Sequence, residues 1–495
     1  MQSDATNMIP APHLDYATLA PLLIVFGGAC LAVLFEAVVR SGARVAVQLV
    51  TAGATLVAAF VALVLNWRAG RFSIVGNGLL AADRPAYLMQ GALIIFTVLS
   101  LLLFTAHHRR VVEAEIYAFG LFSLFGMMLF VSSTNLVMLF VALEVLSLPL
   151  YVLTALSRHH IRRSQEAALK YFLLGVLAAA VMLYGVVLIF AATGSLDYRD
   201  IPNGSGPMLM LGVVFVVIGL LFKIGAVPFH SWVPDVYQGA PTGVTAFMAI
   251  CTKLAAIAAL LRLLTLVMPL SAAQWKGIVM TLAVISMAVG ALLSMIQDDV
   301  KRVIAYSSIS HAGFLLTAAV GASTGEHTLG GVKVSATSGM LIYLLAYGLA
   351  TIAAFGVVSL VRREGQEATD LASWRGLGRR HPWLGVAFAV AFLSFAGFPL
   401  TAGFIGKLAV FAVPWLVGQA WLVVVALIVA AIATYAYVRV LVIMFFGEPR
   451  EGVSMVRPGV FVGLTIFLAA VGTVLLGILP GTVLDLAAQV GGYLV

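Results

Sequence analysis

The sequence predicts an all-α polytopic membrane protein with about fourteen transmembrane helices, arranged as two inverted five-helix repeats that each contain a broken helix. Three observations predict this class. Hydrophobic residues make up 62% of the 495 residues and charged residues only 10%, which leaves too little polar surface to cover a water-soluble domain. Apolar stretches long enough to span a bilayer recur from end to end. Two of them are interrupted by glycine and proline beside a lysine.

The apolar stretches define the predicted spans, and the mean hydropathy of the chain is +1.10. The spans cover residues 17–39, 45–66, 86–106, 114–131, 135–157, 165–192, 207–225, 241–265, 274–296, 301–320, 336–361, 383–417 (broken), 418–446 and 459–480. We therefore divide the chain into four parts. These are 1–110 with three helices, 111–265 with spans four to eight, 266–446 with spans nine to thirteen, and 447–495 with span fourteen and a tail.

Arginine and lysine predict the orientation. With the N-terminus outside, sixteen of the 28 basic residues fall in inside loops or span edges and six fall outside, so the positive-inside rule puts both termini on the outer face. The net charge of +8 reflects these loops and does not indicate nucleic-acid binding. The inside residues are Arg40, Arg44, Arg109, Arg110, Arg158, Arg162, Arg163, Lys301, Arg302, Arg362, Arg363, Arg375, Arg379, Arg380, Arg450 and Arg457.

Two segments predict broken helices. GLLFKIGAVPFHSWVPDVYQGAP (219–241) follows an apolar run, and GFPLTAGFIGK (397–407) interrupts another. Freed backbone groups at membrane depth are tolerated only where protein or water satisfies them. The breaks fall in spans seven and twelve, five spans apart, and an odd unit re-enters the membrane from the opposite side. Spans 4–8 and 9–13 are therefore candidate inverted repeats.

Four charged residues lie deep in the predicted spans: Glu144, Lys223, Lys253 and Lys407. Each costs about 2.5–3.5 kcal/mol at the bilayer centre on insertion scales. A lysine–glutamate pair that separates, or a lysine whose hydration changes, can take up and release protons. We therefore interpret the set as a proton relay, with a static ion pair between helices as the alternative. Two further basic residues within spans, Lys170 and Arg262, lie near helix ends, where they can snorkel.

Histidines and hydroxyl groups extend the candidate relay. His230 follows the first break and His311 lies in span ten, and histidine readily shuttles protons. A hydrogen-bonded packing role stays open for both. Ser147 and Tyr151 follow Glu144 by three and seven residues and so share its helix face. Redox chemistry is not indicated, because the two cysteines, Cys30 and Cys251, are far apart and no glycine-rich nucleotide loop follows a strand.

Three segments carry a family resemblance. HSWVPDVYQGAPTGVTAFMAICTK (230–253), DDVKRVIAYSSISHAGF (298–314) and GFPLTAGFIGK (397–407) resemble the proton-conducting antiporter-like family, over roughly residues 110–450. That family includes membrane-arm subunits of respiratory complex I and subunits of multi-subunit sodium/proton antiporters. The sequence PDVYQGAPT is more similar to one complex I subunit type than to the antiporters.

The resemblance implies roles for individual residues and locations for the cofactors. It also implies fourteen spans with repeats at 4–8 and 9–13, and a bacterial plasma membrane location. NADH, FMN, iron–sulfur clusters and quinone would be bound by other subunits, and the partners would be neighbouring membrane-arm subunits and lipids. The implied relay residues are Glu144, Lys170, Lys223, Lys253, Lys407 and His311, with Lys301, Tyr306 and His230 nearby.

Two other functions stay open at this point. One is a subunit of an independent cation/proton antiporter. The other is a non-conducting scaffold of the membrane arm, in which the buried charges are static. A metabolite carrier is disfavoured, because the intramembrane charges form a spaced series and not one clustered pocket.

Overall fold

The structure is a computed structural model that describes residues 14–105, 114–156, 161–268, 272–329 and 332–494. Arg109, Arg110, Arg158 and the predicted boundary at residue 110 lie outside the described residues. The helices are α1 (Tyr16–Val38), α2 (Arg44–Arg68), α3 (Arg84–Phe104), α4 (Glu115–Ser132), α5 (Leu136–Ala155), α6 (Ile161–Thr193), α7 (Pro207–Ile224), α8 (Trp232–Gly239), α9 (Thr242–Phe247), α10 (Lys253–Leu266), α11 (Ala272–Met295), α12 (Val300–Ala319), α13 (Ala336–Val358), α14 (Leu377–Arg380), α15 (Pro382–Ala396), α16 (Ala402–Leu416), α17 (Ala420–Phe446), α18 (Val460–Ile478) and α19 (Gly481–Ala488).

Small antiparallel sheets lie in the loops that connect the helices. The strands are β1 (Ser73–Val75), β2 (Leu80–Ala82), β3 (His327–Leu329), β4 (Val332–Val334), β5 (Val361–Arg363), β6 (Gln366–Glu367) and β7 (Val453–Met455). β1 pairs with β2, β3 with β4, and β5 with both β6 and β7. The predicted all-α membrane fold is confirmed, and the short strands were not anticipated because they lie in connecting loops.

Twelve helices among the described residues are long and apolar enough to cross a membrane, against about fourteen predicted. The difference has two sources. The predicted tenth span exists as α12, but its lysine, arginine, histidine and serines make it too polar to qualify. The predicted twelfth span is divided into α15 and α16, which are each 15 residues long. The two missing spans are therefore the most polar helix and a broken one.

Both breaks begin in the same way. Helix α7 ends at Gly225 and α15 ends at Gly397, each with a left-handed backbone at φ values of 78° and 82°. The next residue in each case donates its N–H to the carbonyl five residues earlier, Ala226 to Leu221 and Phe398 to Leu393. Glycine fits this position because it has no Cβ to clash. The shared cap supports the predicted repeats, and the boundaries of the four-part division stay predictions.

The centre of the bundle is formed by α9, α10 and α13. The segment Thr242–Leu266 is buried along its whole length within the chain, and α13 is nearly so. Helices such as α6, α17 and α18 instead bury one side and expose apolar side chains on the other. A five-residue π-helical turn, Met248–Thr252, joins α9 to α10 and ends directly before Lys253. The fold thus places Lys253 at the most enclosed point of the chain.

The helix ends form two polar layers. At one end, β5 and β7 pair, and Arg439 donates a hydrogen bond to Asp298 at 2.7 Å. This arrangement brings together the predicted inside loops near residues 297–302, 361–380 and 447–457. At the other end, Asn135 donates to Asp197 at 2.7 Å, and the bridge Leu80–Ser133 attaches β2 to the start of α5.

A buried ion pair at this second end overturns the expectation that Arg262 snorkels. Its side chain is 1% exposed, and it donates to both oxygens of Asp83 at 2.8 Å. The Leu494 N–H donates to Asp83 at 3.1 Å, and the Tyr493 ring lies 4.7 Å from the guanidinium carbon. Asp83, in the loop before α3, gives the buried guanidinium a carboxylate partner, so the Arg262 side chain does not extend to water. The pair joins α3, α10 and the C-terminal segment.

We expect Asp83→Asn or Arg262→Met alone to destabilise the protein by about 3–5 kcal/mol, because each leaves one buried charge unpaired. The double variant removes both charges and should recover most of the loss. Thermal unfolding of the four proteins in detergent measures the coupling. Additive losses in the double variant would contradict a direct, fully buried pair.

We also expect Gly290→Ala to lower the midpoint of thermal unfolding. A Cβ at Gly290 would lie 2.3 Å from the Ser310 backbone nitrogen, so α11 would have to move away from α12. Gly277→Ala on the same helix is the matched control, since nothing lies within 4 Å of its Cβ. That control should be neutral or slightly stabilising, because alanine favours helix. Equal midpoints for the two variants would show that the close contact between α11 and α12 does not contribute to stability.

Candidate functional site

Lys223 is held by neutral hydroxyl groups from two neighbouring helices. Its side chain is 2% exposed, and Nζ donates to Ser147 Oγ and to Tyr171 Oη at 2.9 Å each. The Tyr171 ring stacks on Trp232 at 4.7 Å, and Trp232 Nε1 donates to the Phe222 carbonyl. Helices α5, α6 and α7 therefore converge on one amine at the first break. The expected shared face of Glu144 and Ser147 stays a prediction, because this contact involves Ser147 alone.

Glu144 lies one turn from Ser147 but does not form a salt bridge with Lys223. It is half-buried, and it interacts with Lys223 through their charges at a longer distance. Val141 and Leu148, three residues before it and four residues after it on α5, have exposed side chains. Glu144 therefore faces the outer surface of the bundle while its field reaches the buried amine. This arrangement differs from the static ion pair that was the alternative for these residues.

Lys253 begins α10 immediately after the π-helical turn and is 3% exposed. Its Nζ donates to both the carbonyl and the hydroxyl of Ser308 on α12. The amine also lies 5.3 Å from the centre of the Tyr347 ring, which offers a favourable cation–π contact. π-helical turns often occur at functional sites, because they re-aim the side chains that follow.

A chain of hydroxyl groups and one imidazole continues from α12. Ser307 and Tyr437 share a hydrogen bond of 2.6 Å, and the Tyr437 hydroxyl lies 3.4 Å from His311 Nε2. The other ring nitrogen, Nδ1, shares a hydrogen bond with the Tyr343 hydroxyl. Each of these groups both donates and accepts protons. His311 is thus a buried junction between α12, α13 and α17.

Lys407 is bound by the carbonyls that the second break frees. Its side chain is 8% exposed, and Nζ donates to the carbonyls of Phe395 at 3.1 Å and Ala396 at 2.6 Å. A Cβ at Gly397 would lie 2.7 Å from the Lys407 side chain, so the glycine also makes room for the amine. Lys223 precedes its break and Lys407 follows its own, in the order in which the residues occur in the two segments.

Of the remaining predicted residues, Lys170 and Lys301 lie near the polar end of the bundle. Lys170 is half-exposed and bonds to Glu166 and Asp235 at 2.8 Å, in keeping with its position near a helix end. Lys301 is buried and donates to the Ala240 carbonyl at 2.9 Å. The structure does not bring Tyr306 and His230 into the hydrogen-bonded chain. Tyr306 lies 5.9 Å from the Arg302 guanidinium, and His230 sits in the loop of the first break.

Several groups at these lysines were missed by sequence reasoning. Ser308 lies within AYSSISHAGF and belonged to the quoted motif without a role. The aromatic hydroxyl groups lie in otherwise apolar helices, and only tertiary packing brings them to the amines and to His311. The Tyr347 hydroxyl is buried and lies beside the Ser308 side chain. The missed residues are Tyr171, Ser308, Tyr343, Tyr347 and Tyr437.

Comparison with known proteins shows the family. The family model described as "NADH:quinone oxidoreductase/Mrp antiporter, TM" matches residues 133–433. The NADH-quinone oxidoreductase subunit N of Cutibacterium acnes is 40% identical over 98% of this chain and 97% of its own, and that of Rhodococcus opacus is 42% identical over 97% and 96%. A chain of respiratory complex I from Thermus thermophilus with bound aureothin is 35% identical, with a TM-score of 0.80 over 95% of this chain and all of that one.

The chain is thus an antiporter-like membrane subunit of the class shared by NADH:quinone oxidoreductases and Mrp antiporters. More narrowly, it belongs to the family of NADH-quinone oxidoreductase subunit N, the subunit type that PDVYQGAPT at 234–242 resembles. A chain of the Mrp complex from Dietzia sp. DQ12-45-1b shares the fold at 20% identity, with a TM-score of 0.82 over 96% of this chain and 97% of that one.

We expect Tyr343→Phe to destabilise the protein by about 1–3 kcal/mol, because His311 Nδ1 loses its partner in a buried site. Tyr435→Phe is the matched control, since Tyr435 lies exposed on α17. Thermal unfolding of both purified variants measures the difference. If Tyr343→Phe unfolds at the same temperature as the control, His311 does not depend on this hydrogen bond.

Proposed function

We propose that this chain translocates protons as a membrane subunit of NADH:quinone oxidoreductase. In this proposal, quinone reduction elsewhere in the complex changes the charge state of neighbouring groups. Glu144 then controls the charge of Lys223, and proton exchange continues through Lys253 toward Lys407. The four residues occur in this same order along the chain, from Glu144 on α5 to Lys407 on α16.

One observation carries the proposal: the buried amines of Lys223, Lys253 and Lys407 are held by neutral oxygen atoms. Among the described residues, their hydrogen bonds go to hydroxyl groups and carbonyls and not to carboxylates. The same chain shows what a static buried pair looks like, in the bidentate contact of Arg262 with Asp83. An amine bound to neutral acceptors can lose its proton without leaving a carboxylate unpaired, as a relay needs. This contrast disfavours the scaffold reading.

The network around His311 supports transfer between the second and third amines. Lys253 contacts Ser308, and the adjacent Ser307 begins the hydrogen-bonded chain to Tyr437, His311 and Tyr343. Lys407 lies 5.4 Å from the ring of Phe314, one helical turn after His311 on α12. The Tyr347 ring lies between these groups, 5.3 Å from Lys253 Nζ and 4.9 Å from the His311 ring centroid. Water would carry the proton across the remaining gaps.

The half-buried position of Glu144, beside the exposed side chains of Val141 and Leu148, supports contact with a neighbouring subunit. A carboxylate facing hydrocarbon is costly, and a cation or polar group of an adjacent antiporter-like subunit would remove that cost. We assign NADH, FMN, the iron–sulfur clusters and quinone to other subunits, since this chain supplies amines, hydroxyl groups and one imidazole. The smaller membrane-arm subunits and lipids cover the other apolar faces.

We place the protein in a bacterial plasma membrane, with both termini on the outer face. The clustering of Arg302, Arg362, Arg439 and Arg450 at one end of the bundle supports this orientation. The antiporter alternative shares the fold, and dependence of turnover on sodium would favour it.

We expect Lys223→Ala to lower proton uptake on the order of ten-fold or more, typical of the loss of a general acid or base. The complex is reconstituted in liposomes, and NADH-driven quinone reduction and proton uptake are recorded together after assembly is checked. Lys333→Ala is the control, because that lysine is exposed and its ion-pair partner among the described residues is Glu326. Normal turnover with a normal proton-to-electron ratio in Lys223→Ala would favour the alternative of a non-conducting scaffold.

A further inference from the structure

A charged cavity opens at the end of the bundle where the basic loops cluster. Its volume is 660 Å³, and most of the side chains around it are ionised or polar. The walls come from the start of α12 and from the hairpin formed by β5 and β6. They include Arg163, Asp298, Asp299, Lys301, Glu367 and Asp370. None of the chemistry proposed above uses this cavity.

The inner wall of the cavity is a buried ion pair. Lys301 is 2% exposed, and its Nζ lies 3.4 Å from Glu367 Oε2. The same oxygen accepts a hydrogen bond from Thr242 Oγ1 at 2.7 Å. Glu367 Oε1 lies 3.4 Å from Arg362, its cross-strand partner. One carboxylate therefore contacts the cavity, the buried lysine and the first residue of α9.

The carboxylate is carried by a small hairpin at the surface of the bundle. Glu367 belongs to a two-residue strand, and the turn before it consists of Glu364 and Gly365, both with positive φ. The turn and Gln366 are exposed. By contrast, Lys301 lies in a long buried helix and bonds to the Ala240 carbonyl. A shift of the hairpin would therefore separate Glu367 from a lysine that stays in place.

Helix α12 connects this ion pair to the central amine. Lys301 and Ser308 are seven residues apart, so they lie on the same face, about 10 Å apart along the axis. Ser308 is the residue to which Lys253 donates. The intervening residue on that face is Ala305, which is buried and small. Lys301 thus borders the cavity beside Glu367 and lies on the same face of α12 as the acceptor of Lys253.

We propose that this cavity is a proton entry site for Lys253 and that Glu367 is its gate. The Glu367 carboxylate takes a proton from water in the cavity and becomes a neutral acid. It then passes that proton to the Lys301 amine, which has released its own proton to water that carries it along α12 to Ser308 and Lys253. Glu367 returns to the carboxylate, so each cycle moves one proton and leaves both groups unchanged.

This inference rests on the proposed function and assigns its entry route. The test uses the assembled complex in liposomes, with quinone reduction recorded in the presence of an uncoupler, so that no gradient limits turnover, and proton uptake recorded without it. We expect Glu367→Gln to slow quinone reduction and proton uptake on the order of ten-fold, because the amide keeps the contact to Thr242 but cannot carry a proton. Glu367→Asp should restore most of the rate. Glu451→Gln, an exposed carboxylate before β7 that does not line the cavity, should match the parent.

A Lys253→Ala complex separates failure of this inference from failure of the proposed function. If Lys253→Ala is impaired and Glu367→Gln is normal, the entry assignment is overturned and the relay stands. If Lys253→Ala pumps normally, the proposed function itself fails. If Glu367→Asp is as slow as Glu367→Gln, Glu367 anchors the hairpin and is not a proton carrier.

A second measurement applies if Glu367→Gln does not assemble. Gln366→Cys is introduced on the cavity wall after Cys30 and Cys251 are replaced by alanine, and a membrane-impermeant methanethiosulfonate carrying a sulfonate is added. Blocking the cavity should lower turnover several-fold relative to the cysteine-free parent. Complete modification of this cysteine with unchanged turnover would overturn the proposal.

Discussion

The cost of placing charge inside hydrocarbon organises the whole structure. Each buried amine must find oxygen atoms within the protein, since no bulk water or counter-ion is available at that depth. The chain meets this need in two different ways. Arg262 receives a carboxylate in a fixed bidentate pair, whereas Lys223, Lys253 and Lys407 receive only neutral oxygens. The first arrangement holds helices together, and the second leaves the charge of the amine free to change.

The broken helices supply part of that neutral oxygen. A continuous helix uses its carbonyls internally, so a lysine inside it has none to bind. The break at Gly397 frees the carbonyls of Phe395 and Ala396, and Lys407 donates to both. At the other break, Lys223 uses hydroxyl groups from α5 and α6, while Gly225 ends α7 directly behind it. The two breaks therefore share the same glycine-capped backbone, but the lysine at each break donates to different acceptors.

Lys253 is enclosed by the bundle but contacts a polar helix. Its helix is the most buried in the chain, and the π-helical turn before it points the amine at Ser308 on α12. Helix α12 is the most polar of the long helices because it carries groups for both neighbours, His311 toward α13 and α17 and Lys301 toward the charged cavity. A helix too polar to qualify as a membrane span by itself is stable here because the others surround it.

The sequence by itself determined the membrane class, the positions of the spans to within a few residues, both breaks and the charged residues in the spans. These follow from local patterns: apolar length, glycine and proline, and isolated charges. Only the tertiary structure decided the partners. The pairing of Arg262 with Asp83 joins residues 179 positions apart, and the hydroxyl of Tyr171 reaches Lys223 from a different helix. No local pattern encodes such contacts, because they depend on which faces of distant helices meet when the bundle packs.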